Sequence, residues 1–129
     1  MEITKDFIVT ANFLQKHPEV CFVFGDNLLR KGLGGAAALR NEPNTYSFVT
    51  KKFPSNEDDS FYKPITYLPV YIKEIAKLKS FIRKSKYKFF LVSKCGGGLA
   101  NKYQIWEKVV EPEIHHDLRD FLDKVIFLF

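Results

Sequence analysis

The chain has 129 residues, of which 46% are hydrophobic and 27% charged, and its formal net charge is +5. These values are typical of one globular domain, and we expect a single domain over residues 1–129. No apolar run is long enough to span a membrane and no signal-peptide pattern opens the chain, so we expect a cytoplasmic protein without a membrane partner. The positive charge favours an anionic partner such as a nucleotide or a nucleic acid.

In chain order, apolar runs and turn residues predict strands that alternate with helices. Strands are predicted at residues 7–10, 20–24, 46–50, 88–93 and 125–128. Helical segments are predicted at residues 12–17, 36–40, 66–84, 104–109 and 116–123. This alternation predicts an α/β fold class, a three-layer α/β/α sandwich with a central mixed sheet.

The clearest predicted helix covers residues 66–84. Its apolar face is predicted to comprise Tyr71, Ile72, Ile75, Leu78 and Ile82. The other face is basic and carries Lys73, Lys77, Lys79, Arg83 and Lys84. A nucleic-acid patch and a solvated helix face both fit this pattern, and the lack of interleaved aromatic residues favours the solvated face. The polar stretch 51–64 is predicted to be a mobile surface loop.

The two cysteines, Cys21 and Cys95, lie in or beside apolar runs. This placement predicts free thiols in a reducing cytoplasm. Cys95 also precedes three glycines, where a nucleophile is one interpretation, but no adjacent histidine or acid would activate it, so a structural role is favoured. His115 and His116 lack a matching Cys/His cluster, so neither a metal site nor a cofactor is predicted.

Two glycine-rich loops and a lysine pair follow predicted strands, at residues 25–35, 94–101 and 50–53. Ligands in open α/β sheets bind beyond the carboxyl ends of the strands, and glycine-loop N–H groups and lysines suit phosphate. The spacing is neither that of a Walker loop nor that of a dinucleotide fingerprint. Asp26 is interpreted either as an acid or base, or as a residue that ties down its turn.

Several short motifs, taken together, resemble the macrodomain superfamily. They are Gly32-Leu33-Gly34-Gly35-Ala36, Thr50-Lys51-Lys52, Lys63-Pro64-Ile65-Thr66-Tyr67, and Cys95-Gly96-Gly97-Gly98-Leu99 followed by Trp106. The branch they resemble contains the terminal ADP-ribose protein glycohydrolases and the antitoxins that remove ADP-ribose from DNA. The stretch around Asp26 also resembles a poorly characterised bacterial and phage group with a macrodomain-like pattern.

The resemblance implies a cleft for ADP-ribose. It places Gly32 to Ala36 against the distal ribose and a phosphate, Gly96 to Ala100 around the pyrophosphate, and Lys51 as the catalytic lysine that attacks the anomeric carbon. The position of the family's catalytic aspartate holds Ala100, and no acid near residues 7–12 matches the one that reads adenine. The candidate ligand-binding residues are Asp26, Asn27, Gly32, Gly34, Gly35, Ala36, Thr50, Lys52, Cys95, Gly96, Gly97, Gly98, Leu99, Ala100 and Asn101.

Three functions follow as expectations. The favoured one is binding of ADP-ribose or a related NAD-derived nucleotide, as a reader or sequestering module. The second is a glycohydrolase that removes ADP-ribose from protein or nucleic acid, which would make ADP-ribosylated protein or DNA a partner. The third is a nucleic-acid-binding domain that uses the basic helix face. Ala100 favours binding over hydrolysis, and the glycine loops favour both over the third.

Overall fold

A parallel sheet of four strands forms the centre of the fold in the computed structural model, which describes residues 2–129. The strands are β1 (Val20–Asn27), β2 (Thr45–Lys51), β3 (Phe89–Val92) and β4 (Val125–Phe127). They lie in the order β2-β1-β3-β4, and each neighbouring pair is parallel. The expectation of a mixed sheet was therefore wrong. The connections between successive strands are long enough to return the chain to the same end, as parallel pairing requires.

Both faces of the sheet are covered, as expected for a layered α/β domain. On one face Cys21 and Val23 of β1 and Phe90 of β3 pack in a cluster with the long helix α2 (Pro64–Lys84). On the other face Phe22 and Phe24 pack with the short helix α1 (Ala11–Lys16) and the N-terminal segment. Strands buried on both faces read as unbroken apolar runs, which is why β1 and β3 were visible in the sequence.

Residues 7–10 form no strand, which corrects the prediction for this segment. The Phe7 N–H bonds back to the Thr4 carbonyl at 3.1 Å, which closes a turn. Phe7 and Val9 instead pack against the second apolar cluster. The segment ends at Thr10, whose hydroxyl accepts from the Phe13 N–H at 3.1 Å and so caps α1.

Helix α2 begins at Pro64, a residue suited to the first turn because it has no N–H to satisfy there. Its buried face includes Tyr67, Tyr71, Ile75, Leu78 and Ile82. Ile72 was assigned to this face and is 59% exposed. Each residue of a helix is rotated by about 100° from the one before it, so Ile72 lies outside the buried face to which Tyr71 belongs.

The remaining helical segments are short. A 3-10 helix covers Gly35–Leu39, a π-helical turn covers Trp106–Val110, α3 covers Ile114–Asp117, and 3-10 turns cover Asp58–Ser60 and Arg119–Phe121. The single helix expected at residues 116–123 is thus divided in two. None of the helices in residues 2–129 combines the length and apolar content that a membrane crossing needs.

The strand order fixes where the chain reverses direction across the sheet. From β1 the chain passes to β2 on one side, and it then returns to β3 on the other side of β1. The carboxyl ends of β1 and β3 therefore flank a topological switch point, the place where open α/β sheets bind ligands.

Candidate ligand-binding cleft

A cleft of about 530 Å³ opens at the carboxyl ends of β1, β2 and β3. Two loops form its walls: the first glycine loop (residues 28–36), after β1, and the second glycine loop (residues 94–101), after β3. Small-molecule sites have volumes of about 300–1,000 Å³. The cleft is thus large enough for a nucleotide-sized ligand and lies at the switch point.

Most of the residues predicted from the sequence gather in this one cleft. Those that line it are Asp26, Asn27, Gly32, Gly34, Gly35, Ala36, Thr50, Lys51, Gly96, Gly97, Gly98, Leu99 and Ala100. The three that do not are Lys52, Cys95 and Asn101. The strand ends of the parallel sheet bring together residues that are far apart in the sequence.

The three remaining candidates have other surroundings. Lys52 places its Nζ 5.3 Å from the ring centroid of Tyr62. Cys95 lies in the apolar core, where burial raises its pKa to about 12 and keeps the thiol protonated. Asn101 accepts from the Trp106 N–H at 3.0 Å and so caps the turn that follows. None of the three offers its side chain to the cleft.

Asp26 is held by a two-point ion pair with Arg40. Nε of Arg40 donates to Oδ2 at 2.8 Å and Nη2 donates to Oδ1 at 2.6 Å, and the Ser47 hydroxyl donates to Oδ2 at 2.9 Å. Burial raises the pKa of Asp26, but the hydrogen bonds from Arg40, Ser47 and the Asn27 N–H, together with the Arg40 charge, outweigh it and hold the pKa below its usual value. The carboxylate is therefore ionised, and each of its oxygens accepts two hydrogen bonds from the protein. This arrangement favours the interpretation that Asp26 ties down its turn over a role as an acid or base.

The same arginine fixes the first glycine loop. Its Nη1 donates to the Gly32 carbonyl at 3.0 Å and its Nη2 donates to the Lys31 carbonyl at 3.2 Å. Asn27 supports the loop from inside, because its Nδ2 donates to the Lys31 carbonyl at 2.8 Å. The wall formed by this loop is thus built on Asp26, Asn27 and Arg40.

Three strand ends meet closely at the floor of the cleft. A side chain on Gly25 would place its Cβ 3.0 Å from Thr50 Oγ1 and 3.5 Å from the Gly96 nitrogen. Gly96 has φ +92°, a conformation that favours glycine, and a Cβ there would meet Ile105 at 3.2 Å. Glycine at these positions lets the backbone itself form the floor.

The two loops that line the cleft contain backbone donors without an acceptor in the protein. Five backbone N–H groups of these loops donate to no other group among the described residues. They belong to Gly32, Gly34, Gly35, Gly98 and Leu99. Consecutive free N–H groups in a glycine loop form an anion-binding concavity. The loops thus supply uncharged donors in addition to the lysines.

Lys51 is buried, and desolvation lowers its pKa below the ordinary lysine value. Its Nζ lies 4.7 Å from the ring centroid of Phe61, and no ion pair involves it within the described chain. Phe61 belongs to the stretch that was expected to be only a mobile loop. The Lys52 N–H donates to the Ser60 carbonyl at 2.8 Å, and Ser60 and Phe61 are buried, so this stretch packs as part of the site.

The predicted set omitted two lysines and one proline that line the cleft, Lys31, Lys94 and Pro54. Lys94 lies against Gly97, where an added Cβ would come within 2.6 Å of its Cγ. Lys94 directly follows the predicted strand at residues 88–93, and this position was the sequence signal that could have placed it at the cleft. Lys31 and Pro54 reach the cleft through loop geometry that the sequence pattern does not encode.

Charge in the cleft is strongly one-sided. Lys31, Lys51 and Lys94 line it, and Asp26, the one acid among the described lining residues, is paired with Arg40. Within residues 2–129 no three His, Cys, Asp or Glu side chains cluster as a metal site would need. The cleft therefore combines cationic side chains with backbone donors, a combination that suits an anion.

An apolar groove of about 580 Å³ adjoins the cleft. The two share Gly35, Ala36, Ser93 and Lys94 as lining residues. The rest of the groove is largely apolar and includes Phe7, Val9, Phe22, Leu39 and Leu128. A ligand with one charged part and one flat apolar part would fit the two together.

Comparison with known proteins identifies a family whose function is unknown. The model of a family described as "Family of unknown function (DUF7831)" matches residues 4–102, so the chain belongs to this family. All residues that line the cleft, from Gly25 to Ala100, fall within the matched part. No curated protein and no solved structure matches the chain.

Proposed function

We propose that this member of the DUF7831 family binds ADP-ribose or a related NAD-derived nucleotide in the cleft, as a reader or sequestering module. The observation that carries the proposal is the cationic cleft, in which Lys31, Lys51 and Lys94 face a site whose aspartate is neutralised by Arg40. A diphosphate carries negative charge and many acceptor oxygens, which lysines and unpaired N–H groups match.

The adjoining apolar groove supports a nucleotide rather than a simple anion. In the proposed arrangement the diphosphate lies between the two glycine loops and the base lies in the groove beside Phe22 and Leu39. Gly35 and Ala36, which line both spaces, mark the point where the two parts of the ligand join. Inorganic phosphate alone would leave the groove empty and is expected to bind more weakly.

The resemblance to macrodomains supports the same ligand. It assigns residues Gly32 to Ala36 and Gly96 to Ala100 to the ribose and the diphosphate, and members of both sets line the one cleft. In this proposal the domain is macrodomain-like, with a sheet of four parallel strands. The ligand in the cell would be free ADP-ribose or ADP-ribose attached to protein or DNA.

Hydrolysis of an ADP-ribosyl linkage is the second candidate, and Lys51 is the observation that favours it. Burial lowers the pKa of Lys51, and a neutral amine is the form that attacks an anomeric carbon. The cleft offers no free carboxylate among its described lining residues to assist bond cleavage, because Ala100 occupies the family's aspartate position and Asp26 is held by Arg40. Binding therefore ranks above hydrolysis.

A thermal-shift panel tests the binding proposal, since a ligand that binds only the folded state raises the melting temperature. We expect ADP-ribose to raise it more than AMP, ribose 5-phosphate or inorganic phosphate at equal concentration. An equal effect of inorganic phosphate and ADP-ribose would contradict a nucleotide site. Incubation with ADP-ribosylated protein and DNA separates the two functions, because sustained release of ADP-ribose that is lost in Lys51→Ala would establish the hydrolase.

A further inference from the structure

β2 is an edge strand, and one side of its backbone has no neighbouring strand. The Val49 N–H donates to Oε1 of Glu74 at 2.8 Å, and the Val49 carbonyl accepts from the Tyr67 hydroxyl at 2.6 Å. The backbone groups of Val49 thus face away from β1. Because the direction of these groups repeats every two residues, those of Ser47 and Thr45 face the same open side.

A groove of about 640 Å³ follows this open edge. We call it the β2 groove. Its lining includes Thr45 and Ser47 of β2, Lys73 and Lys77 of α2, and Arg30 of the first glycine loop. It shares no lining residue with the cleft. It is therefore a different surface from the cleft, although Arg40 and Ser47, which hold Asp26 at the cleft, line this groove as well.

The β2 groove is cationic. Arg30 and Lys73 are exposed and form no ion pair within the described chain, while Lys77 lies 3.8 Å from Glu74. Glu74 is buried, and its carboxylate accepts the hydrogen bond from the Val49 N–H at the edge of β2. The groove thus presents unpaired positive charge beside unpaired backbone donors and acceptors.

We propose that the β2 groove binds an extended acidic segment of a partner protein by strand addition to β2. A polypeptide strand supplies alternating N–H and carbonyl groups that match those of Thr45 and Ser47. Acidic side chains on the same segment reach Arg30 and Lys73. Since Val49 is already capped by Glu74 and Tyr67, pairing is limited to a segment of about four residues.

A peptide fits this edge better than a nucleic acid does. The carbonyl groups of Thr45 and Ser47 need donors, and a phosphodiester backbone supplies acceptors only. Phosphates would satisfy Lys73 and Arg30 but leave these carbonyls unmatched. The proposal is independent of the nucleotide cleft and stands if that cleft binds something else.

The test uses an acetylated and amidated peptide of about five residues that alternates glutamate and valine, a length matched to the free edge. Titration into the isotopically labelled full chain is followed by amide NMR. We expect the Thr45 and Ser47 amide signals to shift and these amides to become protected from hydrogen exchange. An N-methylated peptide of the same charge should bind at least about tenfold more weakly because it cannot donate to the edge carbonyls.

Matched variants separate the groove from general charge. Lys73→Glu with Arg30→Asn lowers the net charge by three, and asparagine tolerates the φ of 53° at position 30. Lys84→Glu with Lys86→Gln removes the same charge outside the groove. We expect the first pair to weaken peptide binding by about tenfold or more and the second to change it by less than about threefold.

Three results would overturn the proposal. The first is that the unmodified peptide does not bind. The second is that the N-methylated peptide binds as tightly as the unmodified one, which would show that the groove attracts the peptide by charge alone. The third is tighter binding of oligothymidylate that depends on Lys73 and Arg30, which would make the partner a nucleic acid.

Discussion

Arg40 and Asp26, fourteen residues apart in the chain, form a two-point ion pair between a 3-10 helix cap and the buried end of β1. The pair does two things for the cleft. It neutralises the aspartate, so that the lysines alone set the sign of the charge. It also anchors the first glycine loop through the carbonyls of Lys31 and Gly32.

Removal of Arg40 should therefore destabilise the protein strongly. Arg40→Ala leaves the fully buried Asp26 carboxylate without its partner, and the expected loss in the free energy of unfolding is about 3 kcal/mol. Urea unfolding measures it. Lys84→Ala, at an exposed position of α2, is the control and should change stability by no more than about 0.5 kcal/mol. A loss for Arg40→Ala as small as that of the control would show that the pair does not hold the loop.

The lowered pKa of Asp26 makes stability depend on acid pH. A carboxyl whose pKa is lower in the folded state stabilises the protein above its unfolded pKa of about 3.9, and this contribution is lost as the pH falls through the lower folded value. Unfolding measured from pH 6 to about pH 2 should show this decline in the wild type. Asp26→Asn should flatten it, whereas Asp120→Asn, at an exposed carboxylate of the last 3-10 turn, should change the slope less. An unchanged slope in Asp26→Asn would contradict the assignment.

Lys51 and Lys52 provide a matched pair of adjacent lysines. Lys51 lines the cleft and Lys52 lies over the Tyr62 ring outside it. Lys51→Ala should weaken ADP-ribose binding by about 1–2 kcal/mol, as for a hydrogen bond to a charged group, and Lys52→Ala should leave it nearly unchanged. Calorimetric titration of both variants measures the difference. Equal losses in the two would mean that only overall charge matters.

Gly98 tests whether the ligand approaches the second glycine loop. A side chain at Gly97 would collide with the Lys94 stem at 2.6–2.8 Å, so a change there disturbs a protein side chain as well as any ligand. A Cβ added at Gly98 meets nothing within 4 Å, so a side chain there would begin in space that the fold leaves open. Gly98→Val should retain the wild-type urea midpoint and bind ADP-ribose at least about tenfold more weakly. Full affinity in a folded Gly98→Val protein would remove this loop from the proposed site.

The sequence was informative where local patterns decide the structure. The apolar runs predicted all four strands, and glycine and lysine residues after β1, β2 and β3 predicted which residues would gather at one edge. The parallel order could not be predicted from those runs, because pairing depends on contacts far apart in the sequence. The pairing of Asp26 with Arg40 is likewise set by how the first glycine loop returns to β1.

Lys51 was expected to line the cleft and does, but the irregularity in the strand that directs it there could not be predicted. Alternation along a strand places successive side chains on opposite faces, yet Thr50 and Lys51 both line the cleft. The register between β1 and β2 shifts between Asp26 and Asn27, so Asn27 pairs with Lys51 where regular pairing would give Thr50. Such an irregularity changes the direction in which a side chain points, and no pattern in the local sequence predicts it.

Calorimetric titration of ADP-ribose into the wild-type protein is the direct test of a nucleotide site in this cleft. We expect saturable binding at one site with micromolar or tighter affinity, weakened in Lys51→Ala and in Gly98→Val and retained in Lys52→Ala. Absence of heat at millimolar ADP-ribose, with a fully folded protein, would contradict a nucleotide site in this cleft. Binding of equal strength in all three variants would place the ligand elsewhere and contradict it as well.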